Sequence, residues 1–302
     1  MKEIVSVSLG SSRRDHKVEI ELLGEKFKIQ RIGTDGDLKK AIKLLKELDG
    51  KVDAFGLGGI DLYLYAPGGK RYMIKDAKKL AKAVKKTPVV DGSGLKNTLE
   101  REVIDYLQNG GKLDFKGKTV LMVSAVDRFG MAEAFHKAGC KMIFGDLIFG
   151  LKIPIPLRSM TSFRILARLL LPIVTKMPFK MLYPTGEKQE RKPKEKYGRY
   201  YKEADIIAGD FLFIRKHMPK DMTGKIILTN TTTREDVEDL RKRGVKLLIT
   251  TTPEFEGRSF GTNVLEATLV ALMKKKPDEI SPQDYLDMLK KLDFKPRIEK
   301  LD

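Results

Sequence analysis

Tryptophan is absent from the 302 residues, cysteine occurs once and histidine three times. A lone thiol, Cys140, excludes an intrachain disulfide, and its apolar neighbours mark it as a buried structural side chain rather than a nucleophile. The histidines, His16, His136 and His217, are scattered over unrelated segments with no metal-ligand spacing, so no metal is expected. No G-x-S-x-G elbow occurs, which removes the usual serine-hydrolase reading. No apolar run reaches the roughly 20 residues a membrane-spanning helix needs, and the N-terminal run is too short for a signal peptide. Asn and Gln are scarce beside Lys, Arg and Glu, a composition common in thermophiles. Together these signs point to the cytoplasm.

What is present is a globular composition, 41% hydrophobic and 33% charged, with a net charge of +18. Such a charge favours acidic partners: nucleotides, carboxylate substrates, nucleic acid or an anionic membrane. The lysines are spread over helix faces and no nucleic-acid motif is recognisable, so nucleic acid is not an expected partner. The length suits two domains, each with its own core.

The stretch that organises the chain is residues 118–146, KTVLMVSAVDRFGMAEAFHKAGCKMIFGD. Residues 118–124 read as a buried strand, 130–137 as a helix closed by Gly139, and 140–145 as a second strand ending on Asp146. Strand, turn, helix, strand and acid form the outline of a dinucleotide-binding βαβ unit. In that unit a helix N-terminus receives a pyrophosphate and the acid takes ribose hydroxyls. Ser124, Ala125, Asp127, Arg128, Phe129, Gly130 and Asp146 are therefore candidate cofactor ligands. Only Gly130 of the usual glycines is in place, six residues after Ser124. The alternative is an ordinary βαβ unit that binds nothing there.

The fold class expected is α/β: an N-terminal α/β domain over residues 1–112, then a Rossmann-like doubly wound domain over 113–280, then a C-terminal helical tail over 281–302. Ligands collect at the carboxyl ends of strands in such sheets. The polar loops there supply Ser11, Ser12, Asp61, Asp91, Ser93 and Lys96. The turn at Gly92-Ser93-Gly94 opens a helix and could hold an anion through its backbone, with Lys96 adding charge, although a solvated first-turn lysine is the plain alternative. Two hydroxyl-rich loops add Asn230, Thr231, Thr232, Thr251 and Thr252 as cofactor candidates. Arg258, near a helix start, suits a carboxylate or phosphate, with a structural salt bridge as its equal rival. Residues 147–202 form a basic, apolar insertion. Its prolines Pro172 and Pro178 interrupt the continuous face an interfacial helix needs, so docking onto protein rather than lipid is expected.

The stretches VSVSLGSS, DAFGLGGIDLYLY, DGSGLKNTLER, VSAVDRFGMAEA, FGDLIFG and TTTPEFEGRSFGTN resemble those of bacterial proteins labelled quinate 5-dehydrogenase. The domain layout is similar to that of shikimate and quinate dehydrogenases. That resemblance implies substrate hydroxyls held by paired serines, and a lysine after a first-domain strand, a place taken here by Lys96. Where the family has NVT-x-P-x-K this chain has VDGSGLK, the Asn-Thr-Asp motif has no counterpart, and Ser6 and Ser8 fall within a strand rather than a loop.

The leading expectation is an NAD(P)-dependent oxidoreductase acting on a small polyhydroxylated or carboxylated substrate between the domains. Lys96 is its acid/base group, with Asp61 or Asp91 as partner. NAD is preferred over NADP, because Asp146 repels a 2′-phosphate and the first cation after it is Lys152. A nucleotide-sugar transferase touching a membrane, and a non-catalytic nucleotide-binding module, are the alternatives. A homodimer stays open.

Overall fold

The computed structural model describes residues 1–178, 197–252 and 261–302, together with the strand backbones Glu254–Phe255 and Arg258–Ser259. The end of the basic insertion, residues 179–196, lies outside the described residues, as does the Arg258 side chain.

The chain builds two parallel-rich sheets. The first contains β1 (Lys2–Ser8), β2 (His16–Leu22), β3 (Glu25–Gly33), β4 (Ala54–Gly58) and β7 (Val89–Val90), in the order β2-β3-β1-β4-β7. Only β2 is antiparallel, joined to β3 by a tight hairpin. Between β4 and β7 a small two-stranded ribbon forms from β5 (Tyr63–Tyr65) and β6 (Arg71–Met73). Helices α1 (Leu38–Leu48) and α2 (Lys75–Ala81) cover one face. Asp37 caps α1 by accepting the Lys39 and Lys40 N–H groups, which fixes where the helix begins.

The second sheet contains β8 (Thr119–Met122), β9 (Lys141–Phe144), β10 (Ile206–Ala208), β11 (Ile226–Thr229), β12 (Leu247–Thr250) and β15 (Arg297–Lys300). The order is β9-β8-β10-β11-β12-β15, with β15 alone antiparallel. Its first five strands run 2-1-3-4-5, a doubly wound order whose direction of winding switches between β8 and β10. The strands are short, apolar and buried on both faces, as parallel strands between helical layers are. One face carries α3 (Ser93–Asn109) and α4 (Phe129–Lys137). The other carries α6 (Gly198–Glu203), α7 (Phe211–His217) and α8 (Arg234–Lys242). The short strands β13 (Glu254–Phe255) and β14 (Arg258–Ser259) pair with each other.

Two helices tie the lobes together. Helix α5 (Met160–Val174) puts Phe163 in the second lobe, stacked 4.4 Å from Phe144, while Ala167 and Leu171 join the core of the first. Helix α9 (Thr262–Met273) is apolar all round. It buries Val264, Ala267 and Val270 against the first sheet and Leu265 and Leu269 in the second core, as expected of a helix hydrophobic on every side. Helix α10 (Pro282–Lys291) then packs Tyr285, Met288 and Leu289 beside α3. Among the described residues no helix is long and apolar enough to cross a membrane.

Candidate functional site

The carboxyl ends of both sheets open into one cleft of about 190 Å³. From the first lobe come Ser6, Ser8, Arg14, His16 and Arg31, then Asp61 after β4, and Asp91 with Lys96 around the start of α3. From the second come Asp127 and Arg128 after β8, Asp210 after β10, and Asn230 and Thr231 after β11. The β8 and β10 ends are the switch point of the second sheet, where doubly wound folds place their ligands.

Lys96 is the centre of the cleft's chemistry. It is not a solvated first-turn lysine: only 7% of its surface is exposed. Its Nζ lies 3.2 Å from Asp61 Oδ1. Burial alone would lower the lysine, but the charges of Asp61 and Asp127 outweigh it and hold the ammonium above the ordinary range. Burial pushes the Asp127 carboxyl up, while Lys96 and Arg128 pull it back, and Ser124 Oγ donates to its Oδ1 at 2.6 Å. Arg128 is buried in an ion pair with Glu100 and lies 3.7 Å from Asp210. Burial pushes Glu100 up to about 7 despite that partner. Asp210 caps α7 through the Leu212 N–H and accepts from Asn230 Nδ2 at 3.0 Å.

The first-lobe wall is built of hydroxyls and guanidinium groups. Ser6 and Ser8 stand two apart on β1 and so face the same way. Asn263 Nδ2 donates to Ser6 Oγ at 2.7 Å, and Arg31 Nη2 donates to Ser8 Oγ at 2.9 Å. Arg31 is held by Asp15 at 2.6 Å.

Several expected ligands are placed elsewhere. Asp91 borders the cleft, but its carboxylate is spent on the turn, accepting the Leu62 N–H and both the N–H and Oγ of Ser93. Ser93 is thereby sealed inside. The helix N-terminus at Gly92-Ser93-Gly94 already has an acceptor, the chain's own Glu266 carboxyl. It accepts the Gly92 N–H at 2.6 Å, the Leu95 N–H at 3.1 Å and Tyr285 Oη at 2.6 Å. Gly92 is required there: its φ is +93°, and a Cβ would stand 2.7 Å from the Asn263 nitrogen. Ser11 caps the turn Ser12–Arg14 by accepting the Arg13 N–H, and Ser12 is exposed, so the cleft is reached by Ser6 and Ser8 instead.

The expected pyrophosphate turn is also closed. Asp146 does not reach outward to a ribose: its Oδ1 accepts the N–H groups of Ala125 and Val126, both at 2.9 Å. Burial, opposed by those two bonds, pushes its carboxyl up to about 7. Phe129 is buried, its ring 5.8 Å from that of Phe163. Gly130 lies against α3, where a Cβ would come 2.7 Å from the Asn97 carbonyl oxygen. Ala125, Phe129, Gly130 and Asp146 are thus packing and turn residues, and two N–H groups of the turn, those of Ala125 and Val126, are already engaged. The residues present do not fit a dinucleotide at this turn. Of the four candidate threonines, Thr231 alone borders the cleft. Thr252 Oγ1 donates to the Asn230 carbonyl, and Thr232 and Thr251 are wholly buried. Among the described residues no group of His, Cys, Asp and Glu could hold a metal ion.

Sequence reasoning missed Arg31, Glu100, Asp210 and Glu266. Asp210 carried a signal, an acid between a strand and a helix. The others act through tertiary partners far off in sequence.

The solved structures similar to this chain include a galactofuranose binding protein, 12% identical over 97% of this chain and 99% of that one, with a TM-score of 0.37. An arabinose binding protein from Geobacillus stearothermophilus is 9% identical over 100% of this chain and 97% of that one, with a TM-score of 0.42. The NAD-dependent malic enzyme from Thermotoga maritima is 13% identical over 96% of this chain and 84% of that one, with a TM-score of 0.33. At these scores the likeness says nothing of ligand or activity. No curated protein matches. Residues 3–91 match a family described as Domain of unknown function (DUF8753). Residues 94–301, more than half of the chain, match Domain of unknown function (DUF8754), and to that family the protein belongs.

Proposed function

We propose that the interdomain cleft is a catalytic site for a small polyhydroxylated or carboxylated molecule, with Lys96 moving a proton at a substrate oxygen. The observation that carries this reading is the buried Lys96–Asp61 pair, flanked by Asp127, at the junction of the two sheets' carboxyl edges. A buried ammonium kept charged by carboxylates is a proton donor placed in a ligand-sized space. Ser6, Ser8 and Asn263 suit substrate hydroxyls, and Arg14 and Arg31 suit a carboxylate.

An oxidoreductase of the quinate or shikimate dehydrogenase kind is the finer form of this reading. Two features support it: paired serines on the first lobe, and a Lys–Asp pair in which Asp61 takes the place of the missing Asn-Thr-Asp carboxylate. NAD, in preference to NADP, is the cofactor this form implies. It requires Asp146 to release the Ala125 and Val126 N–H groups, so no chemical step is routed through it here.

The test is a thermal-shift and turnover screen of hydroxylated carboxylic acids such as quinate and shikimate, each with and without NAD or NADP. A ligand of the native state raises the melting temperature by mass action. The reading expects the shift to vanish in Ser6→Ala/Ser8→Ala and turnover to vanish in Lys96→Met. A ligand whose binding and turnover survive both substitutions overturns it.

A further inference from the structure

Helix α5 is apolar on both sides. Met160, Phe163, Ala167 and Leu171 form its inner stripe, buried against the two lobes. Ile165, Leu169 and Ile173 follow one another every fourth residue on the other side, 56%, 65% and 62% exposed. At 3.6 residues per turn they sit about 140° to 220° around the axis from Met160, the middle of the outer face. Pro172 lies inside the helix without ending it, so the outer stripe runs on to Ile173. The preceding segment exposes Leu151, Ile153 and Ile155 as well. Six of the ten large apolar side chains exposed among the described residues therefore fall between residues 151 and 173. Single exposed apolar residues are ordinary, but a cluster of this kind marks a surface that something covers.

The charge of this stretch is one-sided. Residues 147–178 contain Lys152, Arg158, Arg164, Arg168 and Lys176, and no Asp or Glu. Arg158 and Arg164 are paired with Glu203 and Glu133 on neighbouring elements. Lys152, Arg168 and Lys176 are exposed and form no ion pair among the described residues.

We propose that this face docks on an anionic lipid surface. The outer stripe of α5 enters the boundary between headgroups and acyl chains, and Arg168 and Lys176 meet anionic headgroups. An apolar stripe beside cations, on a helix too short to span, is what an interfacial helix presents. A second copy of the chain fits the same face poorly. A two-fold interface would lay this face on the same face of a second copy, and residues 147–178 bring cations and no acid to it. The inner stripe's docking on protein is compatible with this, because the two stripes lie on opposite sides. The proposal concerns a face other than the cleft and does not depend on the catalytic reading.

Sedimentation of the full chain with vesicles tests it. The chain is expected to pellet with vesicles of equal phosphatidylglycerol and phosphatidylcholine at low salt, and to remain in the supernatant with phosphatidylcholine alone. Ile165→Glu/Leu169→Glu/Ile173→Glu is expected to abolish pelleting. Arg168→Gln/Lys176→Gln is expected to weaken it about tenfold or more. Both variants should keep the native melting temperature, since the replaced side chains are exposed. Native protein that ignores both vesicles, or a triple variant that pellets equally, overturns the proposal. So does a soluble dimer that the triple variant dissolves, which would make a second copy the occupant.

Discussion

Lys96 Nζ and Asp61 Oδ1 lie 3.2 Å apart, joining the first turn of α3 to the loop after β4 across 35 residues of sequence. Burial lowers Lys96, and Asp61 is the first of the carboxylates, with Asp127, that raise it, so Asp61 contributes to the pH at which the lysine loses its proton. Asp61→Asn is expected to move the alkaline limb of the pH–rate profile to lower pH while leaving the acid limb in place. Lys96→Met should reduce turnover by about 10²-fold or more. Because the lysine is buried, that variant should also lose on the order of 3 kcal/mol of stability in urea denaturation. Unchanged stability together with unchanged turnover would return Lys96 to the ordinary lysines.

Arg128 and Glu100 make a second buried pair, of which Arg128 lines the cleft. Breaking it from one side leaves a buried charge, so Glu100→Ala should cost about 3–5 kcal/mol. Replacing both partners by apolar groups of similar size, Glu100→Leu with Arg128→Met, should recover much of that loss. A double variant as unstable as the sum of the singles would show no coupling between the two side chains and so defeat the pairing argument.

Gly130 separates two explanations of one residue. A cofactor glycine would tolerate alanine in the unliganded protein and lose only nucleotide binding. The contact with Asn97 predicts a different outcome: Gly130→Ala should lose about 1–3 kcal/mol in urea denaturation, with no ligand present. Native-like stability in that variant would reopen the turn as a cofactor cradle.

Local pattern was enough for most elements. The apolar spacing of residues 38–48 gave α1, and the βαβ unit beginning at β8 was legible from two short apolar runs around a glycine-ended helix. The ribbon β5–β6 and the last strand β15 escaped, because three or four residues carry too little alternation to register. Helix α9 was legible as a helix but not as part of the first lobe, since its all-round apolarity fixes burial and not partner. Ser6 and Ser8 were set aside for lying in a strand. Yet two residues of spacing at a strand's carboxyl end place both side chains on one face at the cleft, a signal that was present. Glu266 had none: its role rests on the Gly92 N–H, 174 residues away.

Asp146 makes stability fall with rising pH over a range where many proteins gain it. Its carboxyl holds its proton up to about pH 7 in the folded chain, against an ordinary value of 3.8. Glu266, raised by burial and the nearby charge of Asp91 from 4.5 to about 7, behaves the same way. Between about pH 4 and 7 the folded state therefore binds more protons than the unfolded state, and each rise in pH favours unfolding. Below that window both states are protonated and the contribution is fully present. Above it both are ionised and the contribution is gone. Asp49, lowered to about 2 by N–H groups around Thr87, works in the opposite direction, and its contribution is lost as pH falls below about 4. The melting temperature is thus expected to peak near pH 5 and to decline toward pH 7.5. Asp146→Asn provides the check, because an amide oxygen can still accept both the Ala125 and Val126 N–H groups while carrying no titratable proton. In that variant the decline from pH 5 to 7.5 should be shallower than in the native chain. A native melting temperature that climbs steadily across this range, or an Asn variant with an unaltered slope, would mean that Asp146 is ionised in the fold.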